Sequence, residues 1–329
     1  MQKANGGQMR ESEIFVGSVT EFLRVLDLYY QNRIEDYHSA QVASITYFRG
    51  HSNAEYELSP SLYRMFRGPG GLHLTLYKNE QALIHDSLQL NPSEFDLSNP
   101  FEILCKLQHF GLPTRLLDVS SNPLVALYFA TGGSPDTLGE VILVPPFPTF
   151  PSDARSVRIL SEFALRGSWE HFAPDRFADD LSKKTGHHRY SDSEVLRTLT
   201  IPWTLVKPLY TNPRLRAQQG AFMLFGGELV TEADPTTGRL SFRPTTVDRH
   251  AILKAQQKFF QTEEITMGRM LITGTAKLSI RKQLDRLGIN RATLFPEIEH
   301  QLGYVIDSYR SGYRGSELGW ERQFQPNNE

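Results

Sequence analysis

Residues 107–130 read LQHFGLPTRLLDVSSNPLVALYFA, and this stretch decides much of the fold. The pair Asn99-Pro100 before it is a helix-start signal, and Gly111 predicts where that helix ends. Thr114–Val119 predicts a short extended segment, and Asn122-Pro123 starts a second helix. The free N–H groups at the start of this second helix favour anions.

Residues 47–51, YFRGH, form the second informative block. The Ser44–Phe48 run is β-branched and aromatic, so it predicts a strand that delivers Arg49 at its end. The guanidinium is planar and always charged, and it binds phosphate or carboxylate through two parallel hydrogen bonds. Arg49 followed by Gly50 therefore predicts a guanidinium that lies at the edge of a core and binds an anionic small molecule. The alternative is that Arg49 forms a purely structural pair with a buried acid.

The rest of the chain predicts one α+β domain over residues 14–309. Residues 147–200 are the least regular part and predict a charged, helical insertion. A flexible N-terminal tail over residues 1–13 and a C-terminal tail over residues 310–329 flank the domain. Apolar spacing and turn residues predict further helices from Thr20, Asn79, Thr275 and Pro296, and further strands at 140–144, 221–225 and 270–273.

Composition bounds the class of protein. The chain has 329 residues, of which 40% are hydrophobic and 22% charged, as is ordinary for a globular protein. It has no apolar run long enough to span a bilayer and no secretory signal, so we expect no membrane partner. The single cysteine, Cys105, excludes an internal disulfide and is predicted to be a buried structural thiol. We expect a soluble cytoplasmic protein.

Longer segments around the two blocks resemble a known family. YFRGHSNAEYELSPSLYR (47–64) and residues 107–130 are similar to the two signature blocks of the FRG domain, which is named for its Phe-Arg-Gly motif. RLRAQQGAFMLFG (214–226) and residues 277–305 resemble the remainder of the pattern. The resemblance therefore spans residues 15–309, nearly the whole chain.

The order of the blocks also resembles that of ADP-ribosyltransferases of the Arg-Ser-Glu type. The resemblance implies a split β core surrounded by helices, with NAD as a substrate that Arg49 anchors. Gln218 or Gln219 stands where the third-strand glutamate is expected. Glutamine carries no charge and cannot act as a base. Asp118 is the candidate acid that replaces it, and the alternative is a structural carboxylate that pairs with Arg115 or caps the Ser121–Asn122 turn.

The resemblance gives two sets of candidate residues. The catalytic candidates are Arg49, Asp118, Gln218 and Gln219. The NAD-binding candidates are Phe48, Arg49, Gly50, His51, Thr114, Arg115, Ser120, Ser121 and Tyr128. A purely structural role is the alternative for some of these residues. Phe48 and Tyr128 are typical core aromatics, and Arg115 either binds phosphate or holds Asp118. We predict no metal site, because the adjacent His187 and His188 cannot share one helical face.

These observations leave competing functions. The first is an NAD-utilising enzyme that is ADP-ribosyltransferase-like or NAD glycohydrolase-like. Such an enzyme would act as a bacterial toxin or phage-defence effector, and a transferase would modify a macromolecular acceptor of unknown type. The alternative is a non-catalytic nucleotide or phosphate-ligand binding module, because the expected glutamate is absent. Nucleic acid ranks third as a partner, since the net charge is −2 and the arginines form no dense run.

Overall fold

A computed structural model describes residues 14–37, 46–68, 70, 72–144, 148–186, 189–230, 237, 239–245 and 268–310, with the backbone alone over 31–37. Several sequence predictions lie outside these residues. They are the tail over 1–13, the C-terminal tail beyond Arg310, the His187–His188 pair and the first two residues of the predicted Ser44–Phe48 strand.

The described part of the chain contains twelve strands and eleven α-helices. The strands are β1 (Ile14–Val16), β2 (Tyr47–His51), β3 (Phe66–Arg67), β4 (His73–Leu74), β5 (Leu116–Ser120), β6 (Gly139–Val144), β7 (Thr149–Pro151), β8 (Trp203–Lys207), β9 (Gly220–Phe225), β10 (Gly227–Leu229), β11 (Phe242–Pro244) and β12 (Arg269–Ile272). The helices are α1 (Val19–Tyr37), α2 (Glu80–Leu90), α3 (Pro100–His109), α4 (Pro123–Ala130), α5 (Arg155–Arg166), α6 (Pro174–Thr185), α7 (Asp192–Leu199), α8 (Pro213–Ala217), α9 (Gly274–Arg286), α10 (Arg291–Leu294) and α11 (Ile298–Arg310).

Asparagine–proline pairs start three of these helices. The side chain of Asn99 accepts hydrogen bonds from the amides of Phe101 and Glu102 at the start of α3. Asn122 and Asn212 cap α4 and α8 in the same way, each with proline as the first helical residue. The two predicted starts before α3 and α4 are confirmed, because proline needs no donor partner there and asparagine satisfies a free amide.

Eight strands form one mixed sheet in the order β1-β12-β6-β2-β5-β9-β8-β7. The outer pairs β1–β12 and β7–β8 are parallel, and the other neighbours are antiparallel. The predicted combination of helices with a β core is confirmed. β2 pairs with β6 at five positions but with β5 only at Phe48 and Ser120, so the sheet is weakly joined between β2 and β5.

Helices cover both faces of the sheet. Side chains alternate along β2, so that Tyr47 belongs to the core under α2, α3 and α5, whereas Phe48 belongs to the core under α1, α4 and α9. Arg49 therefore lies within a strand, not at its end as predicted. Gly50 lets α4 approach β2, because a Cβ atom there would lie 1.9 Å from the carbonyl oxygen of Ala126.

Residues 148–186 and 189–200 form β7, α5, α6 and α7, and they contribute side chains to the core. Strand β7 forms one edge of the main sheet, and α5 buries Val157, Leu160 and Phe163 in the same core as α3. The charged residues between these positions hide the apolar spacing of α5 in the sequence. Across the described residues, no helix combines the length and apolar character needed to cross a membrane.

Candidate functional site

A cleft of about 1200 Å³ lies where β2 and β5 are weakly joined. Residues 48–50 of β2 and 118–120 of β5 form its floor, and α3, α4 and the segment over 209–215 contribute its walls. The side chains that carry charge along the lining are Arg49, Glu94, Asp96, Glu102, Lys106, Asp118, Arg214 and Glu297. The weak β2–β5 join thus gives ligands access to residues in the middle of the sheet.

Arg49 is a largely buried cation in the lining of the cleft. Its Nη1 donates a hydrogen bond to the backbone oxygen of Asp118 at 2.8 Å and lies 3.8 Å from that residue's Oδ2. Its side chain is 21% exposed, yet its Nε is buried and makes no hydrogen bond within the described residues. Burial lowers the pKa of Arg49, although Asp118 raises it and Arg64 lowers it further. The exposed part of the Arg49 side chain lines the cleft, where a ligand can reach it.

A short chain of hydrogen bonds fixes the side chain of Asp118. Gln108 Nε2 donates to Asp118 Oδ2 at 2.9 Å. Thr114 Oγ1 donates to Gln108 Oε1 and accepts from the amide of Leu116, so the amide of Gln108 has only one orientation. Asp118 is 59% exposed and therefore presents a positioned carboxylate to the cleft.

The structural alternatives for Asp118 do not hold in this geometry. The Ser121–Asn122 turn is capped by Ser120 Oγ, which accepts from the amide of Asn122 at 3.0 Å. Arg115 is fully buried and forms an ion pair with Glu80 through two of its nitrogens. Burial lowers the pKa of Arg115, but Glu80 and Tyr63 together raise it by more. The pKa of Arg115 therefore lies above its usual value. Arg115 is therefore no phosphate ligand, since none of its surface reaches the cleft.

Gln218 and Gln219 divide between the cleft and the backbone. Gln218 lines the cleft, and its Nε2 donates to the carbonyl of Leu294 at 3.1 Å. Gln219 has a φ of 46° and is outside the lining. Its carbonyl accepts hydrogen bonds from the amide and the hydroxyl of Ser121, while Ser120 Oγ donates to the carbonyl of Gln218 at 2.7 Å. The two serines thus hold residues 218–219 against the end of β5.

Three other predicted ligand residues lie behind the lining. His51 is buried, and its Nδ1 lies 2.9 Å from Glu140 Oε1. The other carboxylate oxygen of Glu140 accepts a hydrogen bond from Arg269 Nε. Tyr128 is buried beneath the guanidinium of Arg281, 4.2 Å from the ring centroid. Thr114 is 1% exposed and acts on the cleft only through Gln108. Phe48, Arg49, Gly50, Asp118, Ser120 and Gln218 are the predicted site residues that the structure brings together around the cleft.

One face of α3 supplies lining residues that the sequence analysis missed. Glu102, Cys105, Lys106 and His109 follow helical spacing, which is the signal that was available. Cys105 was predicted to be buried, but it is half-buried. Desolvation, with the nearby charges of Glu102 and Asp118, raises the pKa of its thiol well above the usual range. The thiol is therefore protonated and no nucleophile at neutral pH.

Two carboxylates of the lining have unused buried oxygens. Glu102 Oε1 and Glu297 Oε2 are buried without a hydrogen-bond partner among the described residues. Burial raises the pKa of Glu102, and contacts with Ser152 and the Leu209 backbone lower it by less. No group of three His, Cys, Asp or Glu side chains in the described ranges is arranged to hold a metal ion.

The fold and the cleft define a protein with a mixed sheet, helices on both faces and a charged ligand cleft where two central strands separate. The model of the FRG domain family matches residues 44–137, which contain β2, α3, β5 and α4. This stretch therefore matches an FRG domain, and Arg49, Gln108 and Asp118 all lie within it. Comparisons with curated proteins and with solved structures found no match.

Proposed function

We propose that the cleft binds a nucleotide and that the protein uses NAD, as an ADP-ribosyltransferase-like or NAD glycohydrolase-like enzyme. The observation that carries the proposal is the pairing of Arg49 with Asp118 in the cleft. The guanidinium of Arg49 is partly exposed and lines the cleft, and its planar, permanently charged donors suit a phosphate oxygen. The exposed carboxylate of Asp118 lies 3.8 Å from the Arg49 Nη1, so a ligand bound by the guanidinium lies beside this carboxylate.

The dimensions and lining of the cleft support a ligand of this size. Small-molecule sites usually measure about 300–1000 Å³, so a cleft of about 1200 Å³ accommodates a dinucleotide. Phe95, Phe110 and Phe129 are the aromatic side chains of the lining that offer faces to a base or to nicotinamide. The three sequence blocks that resemble the transferase pattern lie on the neighbouring strands β2, β5 and β9.

The proposed reaction needs one positioned carboxylate. The glycosidic bond between the ribose carbon C1′ and the nicotinamide nitrogen breaks, and its electron pair leaves with neutral nicotinamide. Asp118 stabilises the positive charge that develops at C1′. A hydroxyl or water then bonds to C1′ and gives its proton to Asp118 or to solvent. Water as the acceptor gives a glycohydrolase, and a macromolecule as the acceptor gives a transferase.

Consumption of NAD by the purified chain tests the proposal. We expect nicotinamide release, with or without added cell extract, that Arg49→Ala reduces at least about 100-fold. Arg67→Ala is the matched control, because Arg67 is exposed and lies outside the cleft. Thermal unfolding of both variants monitors the fold. Equal turnover in Arg49→Ala and the native chain would overturn the assignment of Arg49.

The same chemistry suggests a biological role as an effector in bacterial conflict or phage defence, where loss of NAD halts the cell. Expression of the native chain in a bacterium is expected to lower cellular NAD, and expression of Arg49→Ala is not. Cells whose NAD pool is unchanged by the native chain would contradict this role.

A non-catalytic binding module is the second candidate, and Gln218 is the observation that favours it. Gln218 lines the cleft where the transferase pattern has a glutamate, and its amide is held by Leu294. A ligand at about 100 times its Kd should raise the free energy of unfolding by about 2.7 kcal/mol. Thermal stabilisation by NAD and ADP-ribose without nicotinamide release would select this candidate over the enzyme.

A further inference from the structure

Helix α11 turns its apolar face away from the rest of the described residues. Five large apolar side chains on it are exposed, and we call them the α11 stripe: Ile298 (67%), Leu302 (57%), Val305 (39%), Ile306 (50%) and Tyr309 (60%). A helix on the surface of a globular protein normally turns such residues to the core. The sequence pattern alone would have buried this face.

The opposite face of α11 packs on the protein through polar contacts. Tyr304 donates from its hydroxyl to Asp285 on α9 at 2.7 Å, and Asp307 pairs with Arg291 on α10. Gly303 lies against the guanidinium of Arg291, where an added Cβ atom would be 2.9 Å away. These contacts fix the rotation of α11. The α11 stripe is therefore exposed because the opposite face of the helix is packed, and not because the helix frays.

We propose that the α11 stripe is the interface with a second copy of this chain, in an antiparallel helix pair. Ile298, Leu302, Val305 and Tyr309 follow a four-three-four spacing, which is the seam of paired helices. Five side chains exposed to this degree offer on the order of 500 Å² per copy, so a pair buries up to about 1000 Å², the lower bound for a specific interface.

The charges at the two ends of α11 select the antiparallel arrangement. Glu299 is exposed in the first turn, and Arg310 is exposed in the last turn. A two-fold axis across the middle of the helix brings Glu299 close to Arg310 of the partner subunit, twice in one symmetric interface. A parallel pair would instead place like charges together. The same surface is thus complementary to itself in both shape and charge.

The interface would lie close to the cleft. Pro296 and Glu297 line the cleft and directly precede α11. Pairing of two copies therefore places a partner within one helical turn of the cleft wall. The dimer does not depend on what the cleft binds, so it can be tested without any ligand.

Sedimentation of the full chain over a concentration series tests the dimer. We expect the native chain to be dimeric and the variant Leu302→Glu with Ile306→Glu to be monomeric, with a dimer Kd raised at least 100-fold. Leu90→Glu is the matched control, since Leu90 is 80% exposed at the end of α2. A native chain that stays monomeric at high concentration would overturn the proposal. So would a monomer that dimerises only after removal of residues 311–329, which would mean that this segment occupies the α11 stripe.

A charge exchange tests the antiparallel orientation. Glu299→Lys and Arg310→Glu alone should each weaken the dimer several-fold, because each creates two like-charge pairs. The double variant restores opposite charges and should recover the native Kd. A double variant that is weaker than either single variant would exclude the antiparallel pair.

Discussion

Gln108 shows how one side chain outside the predicted set prepares the cleft. Its amide connects Thr114, which is buried, to Asp118, which is exposed. Asp118 has few packing neighbours of its own because more than half of its side chain is open to solvent. Its orientation therefore depends on the hydrogen bond from Gln108, and through it on the hydroxyl of Thr114.

We predict that Gln108→Leu lowers the kcat of NAD turnover about 10- to 100-fold with little change in KM, because it misplaces the carboxylate and leaves Arg49 in place. Thr114→Val should lower kcat in the same direction, and Thr114→Ser should retain it because serine keeps the hydroxyl. Steady-state kinetics of the three variants provides the measurement. A loss of activity in Thr114→Ser equal to that in Thr114→Val would contradict the role of the hydroxyl.

Glu102 gives the cleft a dependence on pH. Burial raises the pKa of Glu102, so the folded state disfavours the ionised form. The stability that this group contributes is present below its unfolded pKa and is lost as the pH rises through its folded pKa. We predict that Glu102→Gln becomes more stable relative to the native chain as the pH rises from about 4 to about 8. Urea unfolding of both proteins measures the difference, and a difference independent of pH would contradict the assignment.

At the scale of elements, the contact between α4 and β2 depends on one glycine. A side chain at residue 50 would collide with the backbone of α4, which cannot move without losing its own core contacts. We predict that Gly50→Ala lowers the free energy of unfolding by about 1–3 kcal/mol or more. Gly17→Ala is the control, since the nearest atom to its Cβ is 3.6 Å away. Chemical denaturation compares the two, and equal stability would show that β2 and α4 separate easily.

A buried ion pair joins Glu80, the first residue of α2, to Arg115, which directly precedes β5. Arg115 and Glu80 are both buried, and Trp169 donates from its Nε1 to the same carboxylate. Arg115→Met alone leaves a buried charge, so we predict a loss of about 3–5 kcal/mol of stability. The double variant Arg115→Met with Glu80→Leu should be more stable than Arg115→Met. A double-mutant cycle in urea measures this, and an additive result would mean that the two side chains act independently.

Local signals in the sequence predicted the elements better than their partners. The asparagine–proline pairs at 99–100 and 122–123 located two helices, because capping is decided within a few residues. The partner of Arg115 was missed because Glu80 lies 35 residues away. The helix from Asn79 was predicted, but local patterns do not show where that helix packs. The outward face of α11 was missed for the same reason, because the contacts to Asp285 and Arg291 fix its rotation.

For the whole molecule, the weak join between β2 and β5 is the feature that relates fold to site. Arg49 and Asp118 lie on the two strands at this join, and helices from both faces complete the cleft around them. The sequence predicted Arg49 from its local setting and Asp118 from the resemblance to the transferase pattern. It did not predict the cleft wall from α3 or the integration of residues 148–186 and 189–200 into the core, because both depend on packing between distant segments.

The central claim is that Arg49 anchors a nucleotide in this cleft, and calorimetric titration of the purified chain with ADP-ribose tests it most directly. We predict saturable binding to the native chain and to Arg67→Ala, with affinity reduced at least about 10-fold in Arg49→Ala, the effect of losing about 1.4 kcal/mol of binding free energy. Equal affinity in all three proteins, or no binding to a folded native chain, would contradict it.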